Sequence, residues 1–207
     1  MKIVLIVPTK DRPKDIQNLF SSLIIQSRKP DSVIVVDGSD QPIKSTLEQY
    51  TSELNLNYIP CRPPSLPKQR NVGIKNLPAD TDWVGFLDDD LVLEPDALEN
   101  LEKLIIEKND PKLKGVGLCI LNQQSSKMKF LLRFFMMSSK RPGTVTISGY
   151  HTAIPSVEKD IETDWLYGGA TFWSKDIFDS WSRQRRNATI ITTKFQSQKK
   201  PISVSGK

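Results

Sequence analysis

Trp83-Val84-Gly85-Phe86-Leu87-Asp88-Asp89-Asp90 is the stretch on which the fold turns. An uncharged run that ends in three adjacent carboxylates reads as a strand with the acids at its carboxyl end. Three neighbouring negative charges repel, which costs free energy unless a cation offsets them. Mg²⁺ and Mn²⁺ prefer oxygen ligands and take one or two carboxylates together with substrate phosphates. A cation held in that way acts as a Lewis acid on a leaving diphosphate. An acidic turn capping the helix that follows Glu94-Pro95-Asp96 explains the same residues. On this stretch alone both explanations stand.

Upstream, Ile3 to Val7, Ser32 to Val36 and Leu56 to Ile59 read as three further strands. Between them, Lys14 to Gln26 carries apolar residues at helical spacing (Ile16, Leu19, Phe20, Leu23, Ile24). Ile43 to Leu54 and Lys68 to Lys75 also read as helices. Downstream, a helix runs to about Glu107 and Val116 to Leu121 forms a fifth strand. Alternating strands and helices imply an α/β fold with a mostly parallel sheet flanked by helices. Ligands of such sheets bind beyond the carboxyl ends of the strands. The polar clusters 8–13, 37–40 and 88–90 all fall there.

The chain has 207 residues, 38% of them apolar, enough for one substantial core, and a formal charge of +5. Much of the basic excess lies after Lys175, where a solvated tail is expected and no nucleic-acid partner is assigned. Cys61 and Cys119 are the only cysteines and His151 the only histidine, too few ligands for a structural zinc site. Scattered cysteines point to a reducing compartment. The N-terminal apolar run is short for a secretory signal, and no stretch nears the roughly 20 apolar residues of a membrane span. The expected location is cytoplasmic. Lys127 to Met137 mixes basic and large apolar residues; it reads as a helix that caps the sheet or as a peripheral contact at the inner face of a membrane.

Asp37 ends an apolar strand and can accept from a base N–H or a ribose hydroxyl; a turn Asp before Gly38 is the plainer reading. Gln69-Arg70-Asn71 opens a helix, so Arg70 can reach a phosphate or simply start a surface helix.

Taken in register, these pieces resemble the family 2 glycosyltransferases. Val7-Pro8-Thr9-Lys10-Asp11-Arg12, Val35-Val36-Asp37-Gly38-Ser39, Gln69-Arg70-Asn71-Val72-Gly73 and Phe86-Leu87-Asp88-Asp89-Asp90 follow in that family's order and spacing. Trp165-Leu166-Tyr167-Gly168-Gly169 is similar to its acceptor-side segment. The resemblance covers about residues 1–180. It implies a GT-A fold, a nucleotide-diphospho-sugar donor, a divalent metal (Mg²⁺ or Mn²⁺) and inversion by one in-line displacement onto a glycan or lipid-linked acceptor. It implies that Pro8, Thr9, Arg12, Asp37, Arg70, Asp88 and Asp89 bind the donor. Asp90 and Asp88 would take the metal, and Trp165, Gly168 and Gly169 would shape the acceptor side. Residues 1–121 would form the donor subdomain, 122–181 a partial acceptor-side subdomain and 182–207 a basic, disordered tail.

One part of the pattern is missing. An inverting transferase needs a general base to take the acceptor hydroxyl's proton. In this family a carboxylate in a Glu-Asp or Asp-Glu pair follows the Gly-Gly segment by some tens of residues. Past Asp179 this sequence has no Asp or Glu. The expectation is a C-terminally incomplete chain lacking that base, with Asp164 the weak substitute ahead of Asp176 and Asp179. Two alternatives are a non-catalytic nucleotide-sugar-binding module and a nucleotidyltransferase. The absence of a Gly-rich phosphate loop near the N-terminus opposes the latter.

Overall fold

β1 (Ile3–Thr9) is buried at every position, as a continuous β-branched run between two helical layers should be. The computed structural model describes residues 1–119, 141–146, 148–152, 161–180 and 189–193. β1 pairs in parallel with β2 (Ser32–Asp37) and β4 (Trp83–Leu87), and β2 pairs in parallel with β3 (Leu56–Pro60). Side chains alternate between the faces. Leu5, Val7, Val33 and Val35 share one core with Phe20 and Leu101. Val4, Ile6, Val36 and Phe86 share the other with Val72 and Ile74.

The helices follow from their apolar spacing. α1 (Pro13–Ile24) starts with the preset φ of proline and buries Ile16, Leu19, Phe20 and Leu23. α3 (Leu66–Lys75) lies tight on β1: a Cβ on Gly73 would stand 2.4 Å from a methyl of Ile6. That close approach brings Gln69 and Arg70 to the ends of β1 and β4. α4 (Ala97–Lys108) buries Leu98, Leu101 and Leu104 and stops where Asn109 turns left-handed at φ 41°. The expected helix at 43–54 shortens to α2 (Lys44–Leu47) and a 3₁₀ turn, Glu48–Tyr50. Only Leu47 and Tyr50 of these are buried, so packing rewards little beyond one or two turns.

The far half of the sheet departs from simple parallel order. β5 (Leu113–Leu118) begins earlier than expected and does not pair with β4. β7 (Ala170–Ser174) inserts between them, antiparallel to both. β8 (Thr189–Thr193) pairs in parallel with β5, and β6 (Ile161–Thr163) closes the edge against β8. The sheet is therefore mixed, in the order β3-β2-β1-β4-β7-β5-β8-β6. β8 falls within the segment read as a disordered tail; its β-branched Thr-Ile-Ile-Thr-Thr run suits a strand. The rest of that tail and Lys127 to Met137 lie outside the described residues. The short helix α5 (Asp176–Ser180) follows β7. No helix among the described residues is long and apolar enough to cross a membrane.

Candidate active site

The carboxyl ends of β1 and β4 lie side by side and bring Thr9, Arg12 and Asp89 together. The Thr9 hydroxyl donates to Oδ2 of Asp89 at 2.8 Å, and Nη1 of Arg12 donates to Oδ1 at 3.0 Å. Asp89 is 5% exposed. Burial pushes its carboxyl above the usual range; Thr9 and Arg12 pull it back in part, and the charge of Asp90 adds to the rise. The hydrogen bond and charge of Asp89 in turn raise Arg12.

Gln69 builds the floor. Its buried amide donates from Nε2 to the carbonyls of Thr9 and Val36, both at 2.8 Å, and so ties α3 to the ends of β1 and β2. The neighbouring loops are joined to one another. The backbone N–H of Asp11 donates to the Ser39 hydroxyl, that of Asp40 donates to Asp11, and Arg62 donates to the carbonyls of Gly38 and Ser39. Asp11 sits in left-handed conformation, φ 54°; Asp tolerates it better than most residues.

Above this floor opens a cavity of about 460 Å³, within the range of small-molecule sites. Pro8, Thr9, Lys10 and Arg12 line one side with Asp88, Asp89 and Asp90; Pro64, Ser65, Leu66 and Gln69 line the other. Of the residues expected at the donor, Pro8, Thr9, Arg12, Asp88 and Asp89 are here, with Asp90. Lys10, Pro64, Ser65, Leu66 and Gln69 join them without a role legible from sequence. Gln69 was quoted in the motif, but its inward amide depends on the approach of α3.

Asp88 and Arg70 form a second unit. Nη2 of Arg70 lies 3.1 Å from Oδ1 of Asp88 and donates to the Gly168 carbonyl at 2.8 Å. Its guanidinium carbon stands 5.7 Å from the Phe86 ring centroid. The Asp88 N–H donates to the Gly169 carbonyl at 2.8 Å. Arg70, Gly168 and Gly169 thus meet the acidic run, although none of them lines the cavity.

A divalent cation needs oxygen ligands, and Asp88 and Asp90 offer carboxylates of the kind Mg²⁺ and Mn²⁺ accept. Asp89 is committed to Thr9 and Arg12. Among the described residues no three His, Cys, Asp or Glu side chains converge on one point.

Asp37 does not line the cavity. Buried at 3% exposure, it accepts from the backbone N–H groups of Ser39 (2.8 Å) and Ile43 (3.1 Å) and from the Tyr58 hydroxyl. Burial raises its pKa, but the Ser39 side chain together with these donors outweighs burial and holds it below the usual range. The Tyr58 phenol is pushed up by burial and by Asp37.

The base candidates stand apart. Asp164 is exposed and accepts the Val145 N–H at 3.0 Å, next to the bridge between Val145 and His151. It follows β6, four strands from β4, a span of about 19 Å at ~4.8 Å per strand. Asp176 pairs with Lys114 and Asp179 with Lys175. Both follow Ser174, which registers with Trp83 at the opposite end of β4. Trp165 donates from Nε1 to the Thr152 carbonyl at 3.1 Å and contacts His151 and Tyr167, with ring centroids 5.2 Å and 4.6 Å away.

Residues 4–155 match the family described as Glycosyl transferase family 2. The chain is 32% identical over 103 residues to the succinoglycan biosynthesis protein ExoW of Rhizobium meliloti (strain 1021), covering 48% of this chain and 32% of ExoW. Among solved structures, S. aureus TarS 1-349 in complex with UDP-GlcNAc superposes with a TM-score of 0.62 at 17% identity, over 96% of this chain and 60% of that one. The mannosyltransferase PcManGT from Pyrobaculum calidifontis, in complex with GDP-Man and Mn²⁺, gives 0.57 at 15% identity, over 87% and 46%. The chain spans about a third of ExoW and less than two thirds of these solved relatives. At such identities the superpositions speak to fold, and the fold is GT-A.

Proposed function

The chain belongs to glycosyl transferase family 2, and from that premise we propose that it moves a sugar from a nucleotide-diphospho-sugar to a glycan or lipid-linked acceptor with inversion, assisted by Mg²⁺ or Mn²⁺. The observation that carries this reading is the cavity in which Thr9 and Arg12 engage Asp89 while Lys10, Asp88 and Asp90 line the same wall. Arg12 and Lys10 supply positive charge for a diphosphate, and Pro8, Pro64 and Leu66 offer apolar wall for a base. UDP-GlcNAc in TarS and GDP-Man with Mn²⁺ in PcManGT support a donor of this class.

Asp90 and Asp88 would hold the cation, whose bound charge stabilises the leaving diphosphate. In the displacement, the acceptor oxygen bonds to the anomeric carbon as the carbon–diphosphate bond breaks and its electron pair leaves with the diphosphate. The chain's own residues bind and orient the donor: Thr9 and Arg12 hold the Asp89 carboxylate in place, and Gln69 holds the Thr9 loop. The proton goes to a base that no described residue supplies at the cavity. Residues 1–121 serve as the donor subdomain and 122–181 contribute acceptor-side groups, Trp165 and Gly168 among them. The ExoW name supports a glycan acceptor. Two scattered cysteines in a chain of 207 residues support a reducing, cytoplasmic location. Lys127 to Met137 is the candidate for peripheral membrane contact.

A second reading, donor binding without turnover, is favoured by one observation. Among the described residues, the only carboxylates on the cavity wall are Asp88, Asp89 and Asp90. Incubation with UDP-, GDP- and dTDP-sugars, followed by mass spectrometry for free nucleotide and glycosylated product, separates the two. Metal-dependent binding without release supports the second reading; transfer supports the first.

A further inference from the structure

We propose that Gly169 is a positioning residue for Asp88, so that the segment read as acceptor-side sets the orientation of a donor-side carboxylate. The inference rests on the donor reading of Asp88. Leu87 of β4 registers with Ala170 of β7, and the ladder extends one step through the Asp88 N–H and the Gly169 carbonyl. Gly169 therefore lies against Asp88. A Cβ on Gly169 would stand 2.1 Å from Oδ2 of Asp88 and 2.7 Å from its Cγ, well inside contact distance. The positive-φ glycines among the described residues are Gly143 and Gly149, so position 169 needs glycine for space and not for backbone conformation.

The other carboxylate oxygen is fixed from the opposite direction. Oδ1 lies 3.1 Å from Nη2 of Arg70, and the same nitrogen donates to the Gly168 carbonyl. The carboxylate is thus bounded by Gly169 on one side and by an arginine anchored on Gly168 on the other. A methyl at 169 drives the carboxylate off Arg70 and changes what Asp88 presents to the cavity. Gly168 is under no such constraint, since a Cβ there would meet Nη1 of Arg70 at 3.4 Å, ordinary contact. Chain that shapes the acceptor side and chain that binds the donor therefore share one side-chain orientation.

The test is a double-mutant cycle on Gly169→Ala and Asp88→Ala, read by calorimetric titration of the full chain with UDP, GDP and dTDP in turn, each with Mn²⁺. Gly169→Ala is expected to weaken the tightest-bound nucleotide by about tenfold, while adding less than about twofold to the loss in Asp88→Ala. Additive losses overturn the proposal, as does a Gly169→Ala variant that binds like the parent. If Asp88→Ala binds like the parent, the donor role of Asp88 falls first and the positioning role with it. Should Gly169→Ala alone fail to fold, the thermal midpoint decides. A double variant that melts with Asp88→Ala supports the proposal, because removing the carboxylate makes room for the methyl; one that melts lower overturns it.

Discussion

The guanidinium of Arg12 stands 3.0 Å from Oδ1 of Asp89, on a carboxylate whose other oxygen takes the Thr9 hydroxyl. The pair joins the loop after β1 to the end of β4. It also divides labour within the acidic run. Asp89 is buried and internally compensated, Asp88 faces Arg70, and Asp90 lies on the cavity wall. A cluster that appears in sequence as one block of charge is three carboxylates in three environments.

Arg12→Gln removes that charge. The Arg12 side chain is 54% exposed, so solvent screening limits the pair's contribution to about 1 kcal/mol or less. The thermal midpoint is expected to fall by no more than about 4 °C. Nucleoside-diphosphate affinity should fall by about tenfold or more, since charge-assisted contacts to phosphate are the strong ones. Calorimetry and thermal melts on one preparation check both.

Asp90→Asn keeps the size but removes the charge and turns one acceptor oxygen into an NH₂ donor. If Asp90 holds the cation, added Mn²⁺ should tighten nucleoside-diphosphate binding in the parent and leave it unchanged in the variant. Titrations with and without Mn²⁺ read this directly.

Gln69→Glu places an acceptor-only carboxylate against the Thr9 and Val36 carbonyls, where an NH₂ group now donates to both. Leaving buried polar groups unsatisfied costs about 1–3 kcal/mol each. The variant should lose at least about 2 kcal/mol in urea unfolding, and donor binding should weaken because the Thr9 loop is released.

Asp37 has a pKa below its unfolded value. Its stabilisation is therefore full above the unfolded pKa of about 3.9 and is lost as pH falls through the lower, folded value. The gap in thermal midpoint between the parent and Asp37→Asn should be widest near neutral pH and should narrow below about pH 4. A gap constant down to pH 3 contradicts this.

Where periodicity and burial coincide, the sequence was readable. Trp83–Leu87 is the strand expected, and α1 buries four of the five residues its spacing picks out, Ile16, Leu19, Phe20 and Leu23. The insertion of β7 between β4 and β5 was not readable, because strand order depends on contacts between residues far apart. β8 was hidden because its short β-branched run sits among polar and basic residues. In the site, Thr9, Arg12 and the acidic run were legible from their place after strands. Asp37 shows what a strand-end position leaves open: its carboxylate accepts from Ser39, Ile43 and Tyr58, partners that no local pattern names. Gly169 was read from its segment as acceptor-side, yet the antiparallel register of β7 sets it against Asp88.

The central claim is that the wall formed by Thr9, Lys10, Arg12 and Asp88 to Asp90 binds the diphosphate of a sugar nucleotide together with a divalent cation. Calorimetric titration of the full chain with UDP, GDP and dTDP, with and without Mn²⁺, tests it most directly. At least one of the three should bind, more tightly with Mn²⁺, and Asp90→Asn should abolish the metal's effect. Folded protein that binds none of them, or binds one with no response to Mn²⁺, contradicts the claim.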